Sequence, residues 1–163
     1  MLIYFAAFAA PLFSQAECRF NQYLTEKLEV LGYQVFLPQR DGVERDKPPY
    51  DKMTKEERRS AMFQLDTTKI MESDVFLFVL DGRVPDEGAC LELGVAYTHK
   101  KFQHLNKFLI GLYTDARAAF IGSKLNPMIR VPLEYIALTE RQLLQILKHY
   151  LNFQTIANFV EEG

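Results

Sequence analysis

Six consecutive apolar residues, Val75-Phe-Leu-Phe-Val-Leu80, leave this chain few ways to fold. A strand with one wet face alternates apolar and polar residues. A continuous apolar run needs cover on both faces, as a strand inside a parallel sheet has. Leu2 to Phe8, Tyr33 to Leu37, Lys107 to Tyr113 and Tyr135 to Leu138 read as further strands, with the central one spanning Asp74 to Leu80. Helical patterns lie between them. Ser14 can cap a helix reaching Leu31, with Phe20, Leu24, Leu28 and Leu31 on one face and Gly32 as its stop. Thr54-Lys-Glu-Glu57 is close to a capping box and opens a helix to about Glu72. Glu87 to Thr98 and Thr139 to Leu151 complete the set. This alternation, with right-handed crossovers, predicts an α/β fold: a doubly wound, five-stranded parallel sheet of flavodoxin-like order with helices on both faces. Pro38 to Lys52 is polar and rich in Pro and Gly, which predicts a long loop. Thr114 to Pro132 reads as a second irregular stretch with room for a short helix.

A chain of 163 residues predicts one domain, 1–163, with a real core. The net charge of −2 and pI near 5.9 argue against binding nucleic acid or an anionic membrane by charge. Met1 to Phe13 is apolar, but it lacks a basic start, is too short to span a bilayer and is interrupted by Pro11. It reads as a buried first strand rather than a secretory leader. Cys18 and Cys90 have no metal-ligand spacing, so free thiols in a reducing cytoplasm are expected. His99, His104 and His149 share no spacing and read as surface or loop residues. There is no Gly-x-Gly-x-x-Gly and no Walker Gly-Lys-Ser/Thr, which disfavours dinucleotide and NTP cradles.

Chemistry concentrates after the central strand, in Asp81-Gly-Arg-Val-Pro-Asp-Glu-Gly-Ala-Cys-Leu-Glu-Leu-Gly94. Asp86, preceded by Pro85, is placed to cap the next helix. Glu92 follows between two leucines, with Gly88 and Gly94 nearby. Both carboxylates fall near the C-terminal edge of the sheet, where open α/β folds bind ligands. On its own chemistry the pair also reads as a capping Asp followed by an exposed Glu.

This segment resembles the signature of the nucleoside 2-deoxyribosyltransferase family: a strand, an Asp, and a Glu six residues on in a Glu-Leu-Gly setting. Three other segments agree in order: Ile3 to Ala6 with Ala10-Pro-Leu-Phe13, Asp66 to Ile70 ahead of Ser73-Asp74, and Asn126-Pro-Met-Ile129. The resemblance implies exchange of the base of a 2′-deoxyribonucleoside for a free nucleobase, with no cofactor and no metal. It implies Glu92 as nucleophile, Asp66 as the group that protonates or holds the base, and Asp86 as a contact to sugar or base. Tyr4 would hydrogen-bond the nucleophile. Here the chain departs from the family, because Tyr4 to Phe13 is three residues longer than usual. Either strand 1 loops out or Ala7 takes the tyrosine's place, and a core tyrosine remains open as a reading. Phe13 would cover the base, and Gln39 and Asp41 would meet its edge. Gly88 and Met128 would make further substrate contacts. Asn126 would reach a neighbouring subunit's site and meet the 5′-hydroxyl, which implies a homo-oligomer. The family's usual terminal Tyr is missing from Phe159-Val-Glu-Glu-Gly163. A related N-glycoside hydrolase is the alternative, with Arg117 and Arg130 as cations for a 5′-phosphate. A non-catalytic nucleotide-binding module is a third reading.

Overall fold

The computed structural model describes residues 1–7, 14–82, 86–103, 105–115 and 125–161. Strands β1 (Leu2–Ala7), β2 (Gln34–Phe36), β3 (Val75–Val79), β4 (Phe108–Leu112) and β5 (Tyr135–Ala137) pair in parallel in the order β2-β1-β3-β4-β5. This is the flavodoxin-like sheet that the alternation predicts. The helices are α1 (Gln15–Val30), α2 (Pro38–Asp41), α3 (Lys55–Glu72), α4 (Glu87–Gln103), α5 (Pro127–Arg130) and α6 (Glu140–Glu161).

The strands sort their side chains by parity, and that decides which face carries the site. Ile3, Phe5, Val75, Leu77, Ile110 and Leu112 face α1 and α6, where Leu24, Leu28, Leu143 and Leu147 cover them. Tyr4, Ala6, Phe76 and Phe78 face α3, α4 and α5, against Ile70, Leu93, Ala96, Ile129 and Leu133. Capping boxes start α1 at Ser14 and α3 at Thr54. α1 stops at Gly32, whose φ of 102° suits glycine. There Gly32 N–H donates to the Glu29 carbonyl at 2.9 Å and Tyr33 N–H to the Leu28 carbonyl at 3.2 Å, a Schellman closure.

Several boundaries differ from expectation. Pro38 to Lys52 is not wholly irregular: Pro38 starts the single turn of α2, as a residue with fixed φ can at a helix's first position, and Tyr50–Lys52 forms a 3₁₀ turn. α4 continues past Thr98 to Gln103, with Lys100 and Lys101 in a last turn that favours cations. α6 continues past Leu151 to Glu161.

Lys107 reads from sequence as the start of a strand. Instead it is 3% exposed. Its ammonium donates to the Ile70 carbonyl at 2.7 Å, to Ser73 Oγ at 2.9 Å and to the Ser73 carbonyl. These acceptors lie at the end of α3, whose last carbonyls have no partner within the helix. One lysine before β4 therefore closes the helix that precedes β3. His99 is also not a loop residue: it lies in α4 with Nδ1 buried and unpartnered. His149 is exposed on α6, and His104 lies outside the described residues.

Candidate active site

α3 and α4 lie side by side on the face of the sheet that carries Tyr4. Between them opens a cleft of about 270 Å³. Asp66 projects into it from α3 and Glu92 from α4, with Gly88 one turn before Glu92. A Cβ at position 88 would come within 3.0 Å of Asp86 Oδ2, so glycine leaves the Asp86 carboxylate its room. That carboxylate accepts the Ala89 N–H at 2.7 Å and caps α4.

Tyr4 on β1 is fully buried close to Glu92 and Asp66. Its ring is stacked between Phe36, at 5.6 Å, and Phe76, at 5.7 Å, its partners on the two adjacent strands. Three aromatics in register hold the phenol in one orientation. The hydroxyl is fully buried and meets no aligned hydrogen-bond acceptor. It still lies close enough to Glu92 for the two to shift one another. Burial first, then the Glu92 and Asp66 carboxylates, push the phenol far above its usual range. Burial likewise pushes Glu92 up to about 7; the Tyr4 hydroxyl opposes the rise, and Asp66 and Asp86 add to it. Burial alone carries Asp66 up to about 6. Two acids thus titrate near neutrality on opposite walls of one cleft, an arrangement that favours dividing nucleophile and acid roles between them.

These raised values make the site a stability cost. Between about 4.5 and 7 the folded chain keeps a proton on Glu92 that the unfolded chain has lost, so stability falls as pH rises through that window. Glu92→Gln removes the effect. Allowing for the solvent-facing part of the carboxylate, the variant should be more stable than the wild type by about 1–2 kcal/mol at pH 8. The two should converge near pH 4. Urea melts at both pH values measure this, and an equal difference at pH 4 and pH 8 would contradict it.

The other expected site residues are placed as follows. Gln39 and Asp41 lie in α2 beyond β2, but their side chains already serve the fold. Gln39 Nε2 donates to the Cys18 carbonyl at 2.9 Å and Oε1 accepts from Asn21 at 3.1 Å. Asp41 accepts the Leu37 N–H at 2.9 Å and pairs with Arg40 at 2.9 Å. Asn126 caps α5, its Oδ1 accepting the Met128 N–H at 2.9 Å, and Met128 is exposed. None of these four lines the cleft. Arg130 donates to the Leu133 carbonyl at 3.2 Å. Phe13 and Arg117 lie outside the described residues.

Arg59, Met62, Phe63 and Thr67 also line the cleft and were not anticipated. Their signal was available: with Asp66 and Ile70 they recur at three- and four-residue steps, one face of α3. A further carboxylate, Asp81, ties the ends of β3 and β4 together. It accepts the Thr114 N–H and hydroxyl, both at 2.6 Å, and the Asp115 N–H at 2.8 Å.

The sequence and the fold both have counterparts among known proteins. Residues 3–138 match the model of the nucleoside 2-deoxyribosyltransferase family. A conserved protein from Enterococcus faecalis V583 is similar in structure, with 27% identity, 91% of this chain and 98% of its own covered, and a TM-score of 0.66. A 2-deoxyribosyltransferase from Bacillus psychrosaccharolyticus shares the fold at 21% identity, with 88% and 90% covered and a TM-score of 0.67. The Clostridium botulinum CMP N-glycosidase BcmB also shares it, at 19% identity, with 90% and 98% covered and a TM-score of 0.53. No curated protein sequence matches the chain. Among the described residues no helix is long and apolar enough to cross a membrane. With a family match across residues 3–138, the chain belongs to the nucleoside 2-deoxyribosyltransferase family, an enzyme family acting on nucleosides.

Proposed function

We propose that the chain, as one domain over residues 1–163, is a nucleoside 2-deoxyribosyltransferase of cytoplasmic nucleotide salvage. The observation that supports this most is that Glu92 and Asp66 line one cleft, with the buried Tyr4 hydroxyl close to both. In the proposed reaction a Glu92 oxygen bonds to C1′ as the glycosidic C1′–N bond breaks. The electron pair stays with the base nitrogen, and the protonated Asp66 supplies its proton. A second free base then attacks C1′, Asp66 takes up the released proton, and the Glu92 carboxylate leaves. Two displacements give retention, each through an oxocarbenium-like transition state. Ionised Glu92 and protonated Asp66 are both needed at once. With values of about 7 for Glu92 and about 6 for Asp66, the singly protonated site holds its proton mostly on Glu92, so the reactive state is the minor one, with the proton on Asp66.

Tyr4 is the proposed hydrogen-bond donor that steadies the Glu92 carboxylate, and Asp86 the contact to sugar or base. Asn126 is proposed to serve the site of a neighbouring subunit, so the active form is a homo-oligomer. N-glycoside hydrolysis, with water as acceptor, is the second reading. Arg59 at the cleft supports it, as a cation suited to a phosphate.

Thymidine with adenine should yield deoxyadenosine and thymine without added metal or phosphate, and uridine should be a poor donor. Chromatography of the products checks this. Free deoxyribose released equally fast with and without adenine would establish the hydrolase instead.

A further inference from the structure

Three neighbouring strands set three aromatic side chains in a row. Tyr4 on β1 pairs in register with Phe36 on β2 and with Phe76 on β3, so all three leave the same face of the sheet. The Tyr4 ring lies 21° from the plane of Phe36 and 8° from that of Phe76. Neighbouring strands run about 4.8 Å apart, a spacing that suits offset-stacked rings. Phe78 braces Phe76 in turn, edge to face, with centroids 6.1 Å apart. Tyr4 and Phe76 have no exposed surface, and Phe36 is almost as well buried.

A tyrosine hydroxyl rides at the end of a long arm. Its oxygen sits on the ring's own axis, so turning the ring about that axis does not move it. It lies about 5 Å from the χ1 axis, however, so a χ1 swing of about 10° carries it by about 1 Å. That exceeds the range of about 0.5 Å over which an O–H···O bond is made. A flat ring on each side closes the path of this swing. A shorter aliphatic side chain would leave the outer part of the phenol free.

The hydroxyl held in this way is buried and has no aligned acceptor, a state that costs free energy until an acceptor is supplied. An ionised Glu92 supplies one. The titratable and charged groups around Glu92 are Tyr4 on β1, Arg59 and Asp66 on α3, and Asp86 at the start of α4. Burial, Asp66 and Asp86 all favour the protonated carboxyl, and the Tyr4 hydroxyl is the group that opposes them.

We infer that Phe36 and Phe76 are positioning residues: their rings fix the Tyr4 hydroxyl at the Glu92 carboxylate, so that the ionised carboxylate has a donor already in place. Their effect on ionisation stands on the packing alone. Their effect on rate rests on the reaction proposed above.

The ionisation of Glu92 can be read without any substrate. In each background, the stability gap between the Glu92 protein and its Glu92→Gln partner widens with pH until the folded-state carboxyl ionises, near 7 in the wild type. In Phe76→Leu, and in the milder edge-strand variant Phe36→Leu, urea melts should show the gap widening to about one pH unit higher. Tyr4→Phe should give the same displacement, and adding Phe76→Leu to it should add nothing. Leu133→Ala, a packing loss in the same half of the core, should leave the curve in place. In base exchange, the higher of the two acids sets the alkaline limb when the reactive protonation state is the minor one. That limb of kcat/KM should move up by about one pH unit in the phenylalanine variants, and the maximum should fall roughly fivefold to tenfold. A stability curve unmoved by both phenylalanine variants or by Tyr4→Phe would overturn the inference. So would one moved as far by Leu133→Ala, or moved further when Phe76→Leu is added to Tyr4→Phe. If the curve moves as expected but no base is exchanged or released, the reaction is refuted and the positioning stands. If bases are exchanged and the curve does not move, the positioning is refuted and the reaction stands.

Discussion

Glu92→Ala should lower turnover of a deoxyribonucleoside donor by on the order of 10⁴ to 10⁶, the usual cost of deleting a nucleophile. Without it, one displacement at C1′ must do what two easier ones did. The variant should fold, because alanine is a good helix former and the change removes a carboxylate that burial disfavours. Glu92→Gln keeps the shape but not the negative charge, so it should fail as well. Asp66→Asn should hurt less with donors whose bases leave readily, since its proposed task is to supply the leaving base's proton. Intact-protein mass spectrometry after quenching with a donor and no acceptor is the direct readout. A deoxyribosyl adduct should map to Glu92 and vanish in Glu92→Ala. Near-normal turnover by the alanine variant, or an adduct on Asp66 or Asp86, would reverse the roles.

Lys107→Met should cost about 3–4 kcal/mol of stability, a large fraction of what a small domain possesses. Methionine fills the space but takes the ammonium donor from the Ser73 carbonyl and leaves the Ile70 carbonyl with the Ser73 hydroxyl alone. The loss should also depend on pH. Burial pulls the Lys107 ammonium down to about 8, with Asp74 opposing the shift. Between about 8 and 10.5 the unfolded chain binds a proton that the folded chain lacks, so this group makes stability rise with pH across that window. The methionine variant should lack that rise. Denaturant melts of both proteins at pH 7.5 and pH 10 test it; equal stability at pH 7.5 would mean that the lysine does not cap α3.

Sequence pattern located the sheet well because its signal is local. Runs such as Val75 to Leu80 and caps such as Ser14 and Thr54 act within a few residues of where they are read. Helix ends were read less well. Lys100 and Gln103 are ordinary helix formers, so no breaker marks where α4 stops short of or passes Thr98. Lys107 escaped for a different reason: its partners lie 34 and 37 residues away, and lysine is expected at the surface. The family pattern singles out Asp66 and Glu92, the fold brings both to one cleft, and strand parity decides which face receives Tyr4. Gln39 and Asp41 have the right chemistry for a base edge. Only three-dimensional packing reveals that Asn21, Cys18, Leu37 and Arg40 already occupy their hydrogen-bonding groups.

The sheet divides the core into two sets of side chains with no member in common. Tyr4 and the cleft belong wholly to one of them, and α1 and α6 to the other. Free-energy changes at separated sites add. Better packing beneath α1 or α6 can therefore offset the instability of a new cleft, residue for residue, without entering it. Evolution and the engineer share that freedom: tolerance to mutation can accumulate on one side of this protein while substrate choice drifts on the other.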